Sequence, residues 1–190
     1  RVTMRASLVL TKSLQAAGVD TIFALSGNQI MPIFDACLST GIRVIHVRHE
    51  AAAVFMAEAY ARMTGRIGVA MVTAGAGLGN AIAPLFTSGL SQTPVLLLSG
   101  DSEVGEDGRG SFQEMDQVTI TKAVTKLSKR VTDPQQLSAI LGTAMQTATT
   151  GMPGPVHLAL AADVLTADLL AADIKDTAET SGQCPDADLH

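Results

Sequence analysis

The sequence predicts an α/β protein, a three-layer α/β/α sandwich with a mainly parallel sheet, and two observations carry the prediction. Short apolar, β-branched runs alternate with helical stretches of ten or more residues, a spacing that requires parallel pairing through right-handed crossovers. Two of the runs, Ile67 to Thr73 and Pro94 to Ser99, are nearly continuously apolar, as strands covered on both faces are.

Thr3 to Ala17 mixes apolar residues with good helix formers and reads as a helix, with Gly18 where a C-terminal cap belongs. Thr21 to Leu25 is a strand followed by the turn Ser26-Gly27-Asn28. Gln29 to Leu38 returns to a helical pattern, with Pro32 in its first turn, where a missing N–H does little harm. Arg43 to Val47 is the next strand, and His49 to Met63 a helix that Thr64-Gly65 closes. Ile67 to Thr73 leads through Gly75-Ala76-Gly77-Leu78-Gly79-Asn80 into an alanine-rich helix ending near Ser91, and Pro94 to Ser99 is another buried strand. Asp101 to Ser111 is acidic and glycine-rich and is expected as a long loop, with short helical pieces from Gln113 to Ala123. Asp133 followed by Pro134 opens a helix that runs to Thr150, Gly151 stops it, and Pro155 to Leu160 is the last strand expected. From Ala167 the residues are small, polar and acidic without periodicity. The division expected is one domain over residues 1–166 and a linker or tail over 167–190.

Composition bounds the function. A chain of 190 residues that is 47% hydrophobic and 16% charged can bury a core and is not an intrinsically disordered protein. The formal charge of −5, with 13 scattered Lys and Arg, argues against a nucleic-acid partner. Cys37 and Cys184 lie far apart and fit neither a disulfide framework nor a zinc site, so no metal is expected on this chain and a reducing, cytoplasmic setting is. No run approaches the ~20 apolar residues of a membrane span, and no basic-then-apolar leader is read at the amino terminus. A mean hydropathy of +0.30 with so few charges predicts apolar surface intended for a partner.

Open α/β sheets bind ligands beyond the carboxyl ends of their strands, which directs attention to Ser26 to Gln29, Val47 to Glu50, Thr73 to Asn80 and Gly100 to Gln113. The glycine cluster after Thr73 is similar to a dinucleotide fingerprint, with Asn80 at the third glycine position and Asp101 available as a ribose-binding acid; the plainer reading is a tight turn. Glu50, in the first turn of its helix, either complements the helix dipole or stands at the mouth of the sheet, able to share a proton with a ligand nitrogen. His46 and His49 lack a third partner at metal spacing and read as a strand residue and a cap. Phe112-Gln113-Glu114 follows a flexible loop, where a side chain can close over a ligand or simply dock the loop.

Several motifs occur together in order: Ile30-Met31-Pro32-Ile33-Phe34-Asp35-Ala36, Arg48-His49-Glu50, Thr73-Ala74-Gly75-Ala76-Gly77 ending at Asn80, Phe112-Gln113-Glu114-Met115-Asp116, Val124-Thr125-Lys126, and Gly151-Met152-Pro153-Gly154-Pro155-Val156. Over about residues 3–166 this set resembles the N-terminal pyrimidine-binding domain of thiamine-diphosphate-dependent enzymes, in the acetolactate synthase branch. The resemblance implies the thiamine-diphosphate-binding fold and a carboligase or decarboxylase that forms or cleaves carbon–carbon bonds next to the keto group of 2-oxo acids. It makes Glu50 the cofactor-activating glutamate and sets Gly27, Thr73, Gly75 and Asn80 around the pyrimidine. Asn28, Gln29, Phe112 and Gln113 become substrate-facing.

Leu25-Ser26-Gly27-Asn28-Gln29 replaces the Tyr-Pro-Gly-Gly-Ala run of acetolactate synthases, and Ala76 replaces a proline, so the resemblance does not extend to pyruvate as substrate. The retained Glu50 separates the chain from glyoxylate carboligases. The resemblance further implies a homodimer or higher homo-oligomer and a diphosphate-binding domain, on a partner subunit, that carries Mg²⁺ on a Gly-Asp-Gly run absent here; this segment alone is expected to be inactive. FAD is left open. A Rossmann-like nucleotide-binding domain and a non-catalytic α/β assembly module are the alternatives.

Overall fold

A computed structural model describes residues 3–170. In chain order its elements are β1 (Thr3–Arg5), α1 (Ala6–Ala16), β2 (Thr21–Ala24), α2 (Met31–Thr40), β3 (Arg43–His46), α3 (Glu50–Thr64), β4 (Gly68–Val72), α4 (Ala76–Leu90), β5 (Val95–Asp101), α5 (Gln117–Lys122), β6 (Leu127–Val131), α6 (Leu137–Thr149), β7 (Val156–Ala161), α7 (Ala162–Thr166) and β8 (Asp168–Leu170). Six of the strands form one parallel sheet in the order β3-β2-β4-β5-β7-β6.

Alternation along the strands makes the three layers. Ile22, Ala24, Val69, Met71, Leu96 and Leu98 point to one face, where they meet α1, α2, α6 and α7. Phe23, Ala70, Val72, Val95 and Leu97 point to the other, against α3 and α4. Because successive side chains on a strand point to opposite faces, a strand covered on both sides must be apolar throughout, which is why β4 and β5 stand out in the sequence. Gly68 lets α3 lie close on β4: a Cβ there would sit 1.9 Å from the carbonyl oxygen of Ala57. His49 caps α3, its Nδ1 accepting from the Ala51 amide at 3.1 Å, and Gly65 ends the helix at a φ of 68°.

Three departures from the sequence reading share one cause, a partner distant along the chain. Thr3–Arg5, expected within the first helix, is instead extended and pairs antiparallel with β8, Met4 opposite Leu169. That partner lies in the segment expected as a linker, of which residues 171–190 fall outside the described residues together with Cys184. The third is β6, Leu-Ser-Lys-Arg-Val, which lies at the sheet edge with a single neighbour, β7. Half-exposed edge strands tolerate polar residues, and so β6 carries no apolar run to announce it. Inside the expected long loop, β5 continues to Asp101 and a single 3₁₀ turn covers Val104–Glu106, and the helical pieces after it reduce to α5.

Within α4, Pro84 withdraws the N–H that would have met the carbonyl of Asn80 one turn earlier. Glu58, buried between α3 and α4, accepts from the hydroxyls of Ser88 at 3.3 Å and Ser91 at 2.7 Å. Among the described residues, no helix is long and apolar enough to cross a membrane.

Candidate functional site

The strand order creates a crevice. β2 and β4 are neighbours, yet the chain leaves β2 towards β3 on one side and β4 towards β5 on the other, so the loops at their carboxyl ends part. The loop after β2 brings Gly27 onto Thr73, in the loop after β4. A Cβ on Gly27 would fall 2.3 Å from Thr73 Cβ and 2.4 Å from its hydroxyl oxygen, so the absence of a side chain admits the contact. The φ of Gly27 is −170°, ordinary extended backbone, and close approach alone accounts for the glycine.

The third wall is the loop that follows β5, and a charged clasp holds it. Glu114 accepts from the amides of Gly108 at 2.5 Å, Gly110 at 2.8 Å and Ser111 at 3.1 Å. The Gly108 amide, first among these, holds the Glu114 carboxyl below the usual range. Arg130 of β6 donates to Asp107 at 2.6 Å and to the carbonyl of Ser102 at 3.0 Å; its hydrogen bond lowers the Asp107 pKa. The Arg130 Nε also stands 2.7 Å from Asp101 Oδ2, a close charge contact in which the N–H is not aimed at the oxygen. A cavity of about 220 Å³ lies among Asp101, Asp107, Glu114, Gln117 and Arg130.

Two polar groups line the crevice. In the first, Glu50 at the start of α3 accepts from Asn80 Nδ2 through Oε2 at 2.9 Å. Its Oε1 looks towards Gly77, where a Cβ would come within 3.4 Å of it and 2.7 Å of Thr73 Cγ2. In the second, the Thr73 hydroxyl donates to Gln29 Oε1 at 2.6 Å, and Gln29 Nε2 donates to Gln113 Oε1 at 3.2 Å. Gln113 has a φ of 63°, in the left-handed region that non-glycine residues seldom adopt. Facing it is Gly75, with a φ of 60°, where a Cβ would lie 2.9 Å from Gln113 Cβ.

Of the residues singled out in sequence, the fold brings Gly27, Gln29, Glu50, Thr73, Gly75, Asn80 and Gln113 to this one crevice. Asn28 begins a 3₁₀ turn and is exposed, and Phe112 is 73% exposed. Gly77 and Gly100 are not among the site residues that sequence reasoning finds. Gly77 forms the floor between Glu50 and Thr73, and Gly100 leaves the room that Gln29 occupies, since a Cβ on it would meet Gln29 Cβ at 2.5 Å. Sequence carries only a weak signal for either, a glycine inside a helix or a strand.

Asp101 is 4% exposed and engaged with Arg130, which removes it as a free ribose-binding acid. Numbered within the sheet alone, the strands run 2-1-3-4-6-5, not the 3-2-1-4-5-6 of a dinucleotide-binding domain. Both findings count against the Rossmann alternative.

Residues 4–120 match the family described as thiamine pyrophosphate enzyme, N-terminal TPP binding domain. The chain is 42% identical over 152 residues to 2-hydroxyacyl-CoA lyase 2 of Bos taurus, covering 80% of this chain and 24% of that protein. It is 35% identical over 167 residues to the acetolactate synthase large subunit of Corynebacterium glutamicum, covering 87% and 27%. With the catabolic acetolactate synthase of Raoultella terrigena it shares 36% identity over 157 residues, covering 83% and 28%. The chain thus spans about a quarter of the length of these relatives.

Proposed function

The chain belongs to the thiamine pyrophosphate enzymes, as their N-terminal TPP-binding domain, and on that premise we propose that its crevice holds the aminopyrimidine end of thiamine diphosphate. The observation that carries this reading is the Glu50–Asn80 pair. One carboxylate oxygen is tied to an amide at 2.9 Å and the other faces the bare backbone of Gly77. This carboxylate, an acceptor held in place by one amide, suits a ring nitrogen that must hold a proton, over a glycine floor flat enough for an aromatic ring.

Thiamine diphosphate held there would supply, once its C2 proton is removed, a carbon nucleophile for chemistry beside a keto group. The part of this chain is to orient the ring and manage its proton. Glu50 stabilises the proton at N1′ of the aminopyrimidine, Asn80 keeps the Glu50 carboxylate from turning away, and Gly27, Thr73 and Gly75 bound the ring. Asn28, Gln29, Phe112 and Gln113 face the substrate from the loops after β2 and β5. The whole protein is then an enzyme that makes or breaks carbon–carbon bonds beside the keto group of 2-oxo acids, in the manner of acetolactate synthase. The relatives named as acetolactate synthases and 2-hydroxyacyl-CoA lyases support that class.

The assembly is part of the same proposal. A second domain, beyond the quarter of the relatives' length covered here, holds the diphosphate through Mg²⁺ and docks on α3 and α4. Phe55, Met56 and Met63 of α3 and Phe86 and Leu90 of α4 are all more than a third exposed, which supports a partner for these helices and a homodimer or higher oligomer. Within this scheme the domain ends near residue 166, and β8 ties the start of the linker to β1. A cytoplasmic setting completes the proposal.

The test is Glu50→Gln in the full-length protein. The amide fills the same space and keeps a hydrogen bond but carries no charge to stabilise the N1′ proton, so exchange of the cofactor C2 proton, followed by NMR after acid quench, should slow ~10²–10⁴-fold. Exchange as fast as in the parent would return Glu50 to the role of a helix-dipole carboxylate.

A further inference from the structure

The chain of hydrogen bonds from Thr73 through Gln29 to Gln113 has a direction, and the direction has chemical content. The Thr73 hydroxyl holds one proton, and its acceptors within reach among the described residues are Gln29 Oε1 at 2.6 Å and, more distantly, Gln113 Oε1 at 3.4 Å. Reversing both amides would leave that proton without an acceptor among the described residues, which favours the orientation in which Gln29 turns its oxygen to Thr73. Gln29 must then turn its nitrogen to Gln113, which it does at 3.2 Å. The Gln113 oxygen is thereby occupied, and its NH₂, which makes no hydrogen bond among the described residues, is the end left free.

Two further features hold the array in place. The backbone of Gln113 is kept at a φ of 63°, and strain of that kind persists where the surroundings over-determine it. Gly100 provides the space for Gln29: any larger residue would collide with Gln29 Cβ, at 2.5 Å from the ideal Cβ position.

We propose that Gln29 is a positioning residue which fixes the polarity of the Gln113 amide, so that the substrate side of the crevice offers hydrogen-bond donors to an acceptor-only group, the carboxylate of a 2-oxo acid. This deepens the functional reading above and rests on it. A site built of donors selects an anion with free lone pairs and rejects a ligand that presents a protonated amine there, because an ammonium has no lone pair and two donors would then face each other unpaired.

The experiment uses the full-length protein loaded with thiamine diphosphate and Mg²⁺. Its probe is oxamate, which has the shape and charge of pyruvate but an unreactive carbonyl, and affinities are measured by calorimetry. Gln29→Glu still accepts from Thr73 but cannot donate to Gln113, so Gln113 turns its NH₂ inwards and exposes its oxygen beside a new negative charge. Oxamate affinity should fall at least ~10-fold while thiamine diphosphate affinity stays within about twofold. Thr73→Val, which removes the selecting proton, should weaken oxamate in the same direction, and Thr73→Ser, which keeps it, should restore parental binding. Oxamate affinity unchanged in Gln29→Glu overturns the inference, as does a loaded parent protein that binds no oxamate. Failure of the parent to bind thiamine diphosphate overturns the functional reading instead.

Discussion

His157, in the middle of β7, should make the stability of this protein fall between pH 7.5 and pH 5. The ring is fully buried and touches three hydroxyls: Ser99 at 2.8 Å from Nε2, and Thr121 at 2.9 Å and Ser128 at 3.0 Å from Nδ1. No carboxylate is in hydrogen-bond reach of it among the described residues, so nothing compensates a charge, and burial pushes the imidazole pKa down to about 3. In the unfolded chain the ring titrates near its ordinary ~6.5. Between these values the unfolded state binds the additional proton, so stability is fully present above pH ~6.5 and is lost as the pH falls towards 3. The loss approaches ~1.4 kcal/mol per pH unit below pH 6, which sums to about 2 kcal/mol from pH 7.5 to 5. Urea unfolding followed by circular dichroism at both pH values, on the parent and on His157→Gln, isolates this contribution. The substituted amide does not titrate, so the variant should be less stable at pH 7.5 through poorer hydrogen bonding yet lose ~2 kcal/mol less than the parent on acidification. Equal losses in the two proteins would show that His157 is not held neutral in the fold, and the argument from burial would fail.

Other substitutions probe the crevice and its support. Gly27→Ala drives a methyl into Thr73 and should destabilise by about 1–3 kcal/mol, whereas Gly79→Ala, on α4 with nothing within 4 Å of its Cβ position, should stabilise by about 0.5–1 kcal/mol; chemical denaturation of the pair gives the difference directly. Arg130→Met leaves the buried Asp101 carboxylate without its cation and should cost about 3 kcal/mol, an effect that Asp101→Asn in the same chain should partly reverse. Glu114→Gln should speed hydrogen exchange at the Gly108, Gly110 and Ser111 amides with little change at β4 or β5; unaltered exchange at all three would mean that the loop does not depend on the carboxylate.

The sequence by itself determined the layers, because they follow from local periodicity. β4 and β5 are legible as apolar runs, α3 is legible between His49 and Gly65, and the glycines at 65 and 75 mark turns that need a positive φ. Glu50 and Asn80, 30 residues apart, are legible as candidates through the order of motifs in which they occur. Tertiary structure alone decided what depends on a distant partner. Met4 is extended because Leu169 lies beside it, and Leu127 to Val131 form a strand because β7 offers them an edge. Likewise Gln29, Thr73 and Gln113 are legible one by one as site candidates through the motifs, and they become a directed array only when the strand order places three loops at one mouth. Gly77 and Gly100 matter through what fills the space beside them, Glu50 and Thr73 in one case and Gln29 in the other. Periodicity is written in neighbouring residues and can be read along the chain, whereas pairing and close approach belong to surfaces that meet only once the chain has folded.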